Sequence, residues 1–292
     1  MKWAGKRVLL TGVAGGLGPV IGQAALDRGA TLAVSAMLAA ELESAVALLG
    51  RADRVVCLSP GSLTEAGFRA ALVDEVTGRI GGVDILINNA GIEAIGHLER
   101  ARAEVIDQSV AVNLAAVMDL TRLVLPGMLA RGSGHVVSMA SLAGVGTPPY
   151  LSIYAGTKAG VIGFTRAIRA EYRGRGVSAS AICPGFVRGG GMYQRKQDRI
   201  PVKAPWLLGT TTRQRVAAAV IRAVERDLAE PIVNGGPTRA VAALVNAWPG
   251  LAGTVSRLAG STALLRAWAD ALAAGEDAGE SEGGPSPTVV PD

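Results

Sequence analysis

Short apolar runs punctuate the first four-fifths of the chain: Arg7–Leu10, Thr31–Ser35, Arg54–Leu58, Val83–Ile87, Gly134–Ser138, Val177–Cys183 and a weaker Pro231–Val233. Most are continuously apolar rather than alternating, the pattern of strands covered on both faces. Between them lie stretches of helical length, Glu41–Leu49, Glu65–Arg79, Glu104–Ala130 and Thr157–Arg173. This alternation predicts an α/β fold, a doubly wound parallel sheet of Rossmann type. After Cys183 the pattern changes: Pro184–Thr212 is rich in Gly, Pro and basic residues and reads as a long functional loop. A helix is expected over Arg213–Leu228. Ala/Leu-rich helices are expected over Thr238–Ala274, broken at Pro249-Gly250 and Gly260.

Composition narrows the picture. With 49% hydrophobic and 18% charged residues the chain is a packed globular body, and with 4% aromatics its core must be built from Ala, Val, Leu and Ile. The net charge is +5, but Glu276, Asp277, Glu280, Glu282 and Asp292 crowd the last stretch. Taking these five from the 24 acidic residues leaves the rest at +10 against 29 basic residues. The basic residues form no runs and are not interleaved with aromatics, so nucleic acid is not expected as a partner. Cys57 and Cys183 lie far apart and read as buried free thiols of a reducing cytoplasm. His97 and His135 have no ligand-type neighbours, and no metal site is expected. The apolar run near Met1 is too short for a signal peptide or a span, and Arg257, Arg266 and Asp270 interrupt the C-terminal helices.

Chemistry enters at Thr11-Gly12-Val13-Ala14-Gly15-Gly16-Leu17-Gly18, which follows the first strand and opens the first helix. Glycines there permit a sharp turn, close approach to a pyrophosphate and tight packing of helix on strand, with the phosphate charge at a helix N-terminus. The spacing Gly12, Gly16, Gly18 is wider than G-x-G-x-x-G.

Five further features follow in order: Asn88-Asn89-Ala90-Gly91 after the fourth strand, Asn113 in the long helix, Ser141 after the fifth strand, Tyr154-x-x-x-Lys158, and Pro184-Gly185 ending the sixth strand. In this order they resemble a short-chain dehydrogenase/reductase over about residues 5 to 235. Each alone has an ordinary reading, a surface helix pair for Tyr154 and Lys158 or a turn for Asn88–Gly91. The joint order overturns these readings. The resemblance implies an NAD(P)-dependent oxidoreductase that moves a hydride between the nicotinamide and a carbonyl or secondary alcohol. Its catalytic residues would be Asn113, Ser141, Tyr154 and Lys158. Its cofactor contacts would be Gly12, Gly15, Gly16, Leu17, Gly18, Ala36, Ser62, Asn89, Ala90, Gly91, Tyr154, Lys158, Pro184, Gly185 and Val187.

The residues also make chemical sense by themselves. Four apart on a helix, Tyr154 and Lys158 share one face. A tyrosine titrates near ~10, and an adjacent ammonium favours the phenolate. Ser141 would hydrogen-bond the substrate oxygen, and Asn113 would hold a water linking Lys158 to solvent. Ser138 competes with Ser141, but the spacing to Tyr154 favours Ser141.

Three stretches depart from the family pattern. The end of the second strand, Val34-Ser35-Ala36-Met37, lacks the acid that binds ribose hydroxyls in NAD-preferring members, which points to NADP, with NAD as the alternative. The acid often found after the third strand is missing and Ser62 stands in the region; Gly189 replaces the threonine that usually follows Pro-Gly. The loop after Pro184 should cover the substrate. Phe186, Met192, Tyr193, Trp206 and Leu207 suit a lipophilic or aromatic carbonyl compound, whereas Arg188, Arg195, Lys196, Arg199 and Lys203 either receive an acidic group or merely solvate the loop.

The chain thus divides into a catalytic and dinucleotide-binding domain, residues 1–236, a helical extension, 237–274, and a tail expected to be disordered, 275–292. The extension could close the pocket, meet a partner or lie on a membrane surface. The resemblance implies a homodimer or homotetramer assembled through the helices around Glu104–Ala130 and Tyr154–Arg173. The competing readings are a catalytically silent dinucleotide-binding sensor or scaffold, and an epimerase or dehydratase of the same family.

Overall fold

In a computed structural model, which describes the chain except residues 51, 201, 203, 206, 207, 282–289 and 292, each of the seven apolar runs contributes a strand of one sheet. The strands are β1 (Arg7–Thr11), β2 (Thr31–Ser35), β3 (Val55–Cys57), β4 (Ile85–Asn88), β6 (Gly134–Met139), β7 (Val177–Pro184) and β10 (Ile232–Val233). A two-residue strand β5 (Ile92–Glu93) follows β4, and β8 (Val187–Arg188) pairs with β9 (Thr211–Thr212) apart from the main sheet. The main sheet runs β10-β7-β6-β4-β1-β2-β3, every pair parallel. Chain order reverses at β1, so a crevice opens beyond the carboxyl ends of β1 and β4.

Helices cover both faces. They are α1 (Gly18–Leu26), α2 (Ala39–Ala47), α3 (Ala66–Ile80), α4 (Ala103–Val110), α5 (Ala116–Ala130), α6 (Leu142–Gly146), α7 (Ser152–Glu171), α8 (Met192–Arg199), α9 (Arg213–Arg226), α10 (Thr238–Ala247), α11 (Ala252–Leu258) and α12 (Ser261–Ser281). Successive strand residues point to opposite faces. Val8 and Leu10 pack with Ile21 and Leu26 of α1 and Val216 and Val220 of α9. Leu9, between them, packs with Leu72 of α3, Leu120 and Met128 of α5 and Ile168 of α7. Because both faces are dry, the strands read as unbroken apolar runs.

The helical run Ala103–Ala130 has the length and apolarity of a membrane span. Here it is a core element, with Leu120, Val124 and Met128 buried. It is not one regular helix: a π turn, Ala111–Ala115, separates α4 from α5.

The structure departs from the sequence reading in three places. Pro184–Thr212 is not all loop, since it holds β8, β9 and α8; Lys203, Trp206 and Leu207 lie outside the described residues. Cys57 is exposed rather than buried, because β3 is the edge of the sheet. Helix α12 continues past Ala274 to Ser281, and Val290–Pro291 pairs antiparallel with β5. Once nucleated, a helix adds further residues at little cost, so a change of composition at Gly275 does not by itself stop it.

Candidate active site

The glycine turn is held by its neighbour in space. Gly12 has φ +65°, and a Cβ there would stand 2.7 Å from the Ala90 Cα; only glycine fits both demands. Thr11 Oγ1 accepts the N–H groups of Asn89 (3.1 Å) and Ala90 (3.2 Å). In return Asn89 Nδ2 donates to the carbonyls of Thr11 (3.2 Å) and Gly12 (2.8 Å). The turns after β1 and β4 are thereby locked together at the crevice. Sequence reasoning passed over the Thr11 hydroxyl, whose position ahead of the first glycine was its only signal.

Gly15, Gly16 and Leu17 line the cavity, and Gly18 opens α1 with its Cα against the Val13 carbonyl. Among the described residues, neither Gly16 N–H nor Leu17 N–H donates to a protein acceptor. Unspent donors at a helix start fit a pyrophosphate. Five of the expected cofactor residues, Gly12, Gly18, Ala36, Ser62 and Ala90, do not line the cavity. Ala36 is buried at the end of β2, its carbonyl accepting from Gly61 N–H at 3.2 Å. Ser62 bonds Thr64, Oγ to Oγ1 at 2.8 Å, in a local turn before α3.

Asn113, Tyr154 and Lys158 are all buried, and Ser141, Tyr154 and Lys158 face the cavity. Lys158 Nζ donates to the Met139 carbonyl (2.8 Å) at the end of β6 and lies 5.6 Å from the Tyr154 ring centroid. The π turn carries Asn113 inward, where its amide pairs with both backbone groups of Ile92, each at 2.8 Å. Its Nδ2 also donates to Thr157 Oγ1 (3.1 Å), and that hydroxyl donates to the Tyr154 carbonyl (2.8 Å). Gly91 fits between Asn113 and Lys158: a Cβ on it would lie 3.2 Å from Asn113 Oδ1 and 3.3 Å from Lys158 Nζ.

Ser141 caps α6, its Oγ accepting Ala143 N–H at 3.1 Å, which leaves its own proton to give. Ser138 is buried within β6 and does not reach the cavity. Close packing at Gly144 sets α6 against α7, since a Cβ there would stand 2.6 Å from the Lys158 carbonyl carbon. Cys183 is buried, and burial pushes its thiol up to about 12, away from the reactive thiolate.

The cavity measures about 280 Å³ and runs from the glycine turn past Tyr154 to the C-terminal helices. Pro184, Gly185 and Val187 form one side, joined by Phe186, Met192 and Tyr193. Gly191 closes over the glycine turn so tightly that a Cβ on Gly16 would come 2.5 Å from its Cα. The outer wall is apolar and comes from α6 and from Val241, Val245, Val255, Ala259 and Leu265. Of the basic loop residues, Arg188, Arg195, Lys196 and Arg199 are all absent from the lining. Lys196 is instead paired with Glu93. Glu93 and Lys158 are the charged side chains of the wall among the described residues. Asn234 also lines it, with Nδ2 donating to the Leu208 carbonyl at 2.7 Å; nothing in the sequence marks it.

The family model described as short chain dehydrogenase matches residues 6–200. The chain is 38% identical to the ketoacyl reductase HetN of Nostoc sp. over 234 residues, 80% of each chain. It is 33% identical to the 3-oxoacyl-[acyl-carrier-protein] reductase FabG of Thermotoga maritima over 64% of this chain and 76% of the relative. It is 36% identical to the D-beta-hydroxybutyrate dehydrogenase of Cupriavidus necator over 63% and 71%. With the glycine turn and the Ser141, Tyr154 and Lys158 cluster facing one cavity, these matches make the chain a member of the short-chain dehydrogenase/reductase family, an oxidoreductase of CH–OH and C=O groups that works with a nicotinamide dinucleotide.

Proposed function

We propose that this protein is an NADP(H)-linked reductase or dehydrogenase of a lipophilic or aromatic ketone/secondary-alcohol pair, with Tyr154 as the proton-transfer group. The observation that carries this reading is the meeting of Ser141, Tyr154 and Lys158 in a largely apolar cavity that begins at the glycine turn. The dinucleotide supplies or accepts the hydride. The chain supplies everything around it. Backbone N–H groups of Gly16 and Leu17 would hold the phosphates of a bound dinucleotide, and Gly91, Pro184, Gly185 and Val187 would hold its nicotinamide portion. In the reducing direction Ser141 O–H and Tyr154 O–H both donate to the substrate oxygen, and Tyr154 gives up its proton. The Lys158 ammonium, fixed by the Met139 carbonyl, stabilises the phenolate left behind. Asn113 holds this arrangement through Ile92 and Thr157, and the second lone pair of its Oδ1 remains for a water that returns the proton.

Two features support the substrate class and cofactor. Among the described residues the wall carries no basic side chain besides Lys158, so a neutral, apolar body suits it better than an acidic group. Position 36 is Ala and position 37 an exposed Met, so no carboxylate repels a 2′-phosphate there. The names of the relatives, reductases and a dehydrogenase of oxygen-bearing chains, suit the same reaction. We place the protein in the cytoplasm, where the exposed Cys57 would stay reduced.

The test follows nicotinamide absorbance with a panel of apolar ketones and alcohols. NADPH should support turnover better than NADH. Tyr154→Phe should lower kcat roughly 10²–10⁴-fold while dinucleotide affinity, measured by fluorescence titration, stays near wild type. Undiminished turnover by that variant would remove Tyr154 from its role.

A further inference from the structure

Helices α10 and α11 are apolar on two sides. Their inner side, with Val241, Val245 and Val255, walls the cavity. Their outer side, with the turn that joins them, exposes Leu244, Trp248, Leu251 and Leu258, with Trp248 61% and Leu258 80% accessible. A helix on the surface of a water-soluble body keeps one apolar stripe and turns charge outward. This corner does the opposite, and it is cationic: between Pro231 and Ala269 the sequence holds Arg239, Arg257 and Arg266 and no Asp or Glu. Arg239 and Arg257 are exposed and have no carboxylate partner among the described residues.

From these observations we propose that the outer face of α10 and α11 docks on an anionic lipid bilayer, and that the cavity behind it takes its apolar substrate from that bilayer. An aromatic side chain flanked by leucines and arginines is the composition that settles at the headgroup boundary, apolar side chains inward and guanidinium groups among the phosphates. A second copy of the chain is the poorer occupant, because two such faces would oppose arginine to arginine without a carboxylate between them. The distance a substrate must cross is one helix thick, since the same two helices bound the cavity. Docking rests on the exposed face alone; delivery of substrate rests also on the reductase reading.

The experiment separates the two. The full chain is mixed with vesicles of phosphatidylcholine plus phosphatidylglycerol, or of phosphatidylcholine alone, and the bound fraction is read by flotation. Binding should favour the anionic vesicles and weaken with salt. Trp248→Ser with Leu258→Ser should weaken it about tenfold or more, and Arg257→Glu should remove the preference for anionic lipid. None of these residues lines the cavity, so turnover of a water-soluble ketone without vesicles should be unchanged in every variant. No binding to anionic vesicles, or equal binding by wild type and the double variant, overturns the docking. A variant that changes oligomeric state while vesicle binding stays intact also overturns it. If docking holds, an apolar ketone supplied in vesicles should be reduced more slowly by the double variant than by wild type, and equal rates overturn the delivery. Absence of turnover with any ketone, while binding persists, would sink the reductase reading and leave the docking standing.

Discussion

The Ser141 hydroxyl accepts Ala143 N–H at the start of α6, and its proton is then directed by default toward whatever oxygen enters the cavity. Structure and chemistry are coupled in one atom. Ser141→Ala should therefore cost about 1 kcal/mol of stability through the lost cap and roughly 10²–10³ in kcat through the lost donor. Thermal unfolding and steady-state rates read the two losses separately. A second residue reports on burial rather than catalysis. His135 lies inside the sheet with Nε2 2.9 Å from Ser180 Oγ, and burial pushes its imidazole down from 6.5 to about 4. Unfolded, it takes up a proton near 6.5, so between about pH 6.5 and pH 4 the unfolded chain binds more protons than the folded one. Stability falls as pH falls across that window, by about 3 kcal/mol in full. His135→Gln should flatten this part of the urea-unfolding profile; an unchanged slope would place the pH sensitivity in another group. At this scale much of the site is legible in the sequence, because Gly12, Tyr154 and Lys158 are demanded by spacing. Ser62 is read from its region alone, and the partner the structure gives its hydroxyl is Thr64, two residues away.

Helices, not single side chains, set the distance between the proton donors. Ser141 rides on α6, and Tyr154 and Lys158 ride on α7; the two helices touch at Gly144, where there is no room for a Cβ. Gly144→Ala should push α6 outward and lower kcat more than it raises KM, with a stability loss of about 1–3 kcal/mol. A crystal structure of the variant with α6 unmoved would defeat that account. Strands and most helices are readable because a buried parallel sheet writes uninterrupted apolar runs, and Leu9 and Leu10 show this by serving opposite faces side by side. The π turn at Asn113 is not readable, since an extra residue in a helix leaves the apolar pattern nearly intact. Helix α8 is hidden for another cause: Met192–Arg199 is dense in polar residues and follows three glycines, so composition reads as loop.

For the molecule as a whole, a second informative surface is left uncovered along α4 and α5, where Ile106, Val110 and Met118 are all exposed. We propose that this stripe is where copies of the chain meet. Ile106→Glu with Val110→Glu should shift the protein to a monomer on size-exclusion chromatography with light scattering; an unaltered mass would move the contact elsewhere. Charge is also organised at this scale, though not by clustering of Lys and Arg. Arg7 and Arg131 both reach Asp84. Burial pushes that carboxyl up, but the guanidinium groups outweigh it and hold it below the usual carboxylate range. Docking of distant segments, such as α12 over the cavity, is what sequence patterns convey least: amphipathicity says that Trp268 is buried, not against what.

That much of the cavity's outer wall comes from residues beyond 237, while the glycine turn, α6 and the proton-transfer groups precede Gly185, gives selection two separable handles. Descendants of this chain can drift in taste through Val241, Val245 or Leu265 and keep the reaction untouched. A transplanted C-terminus from a cousin should carry its diet with it.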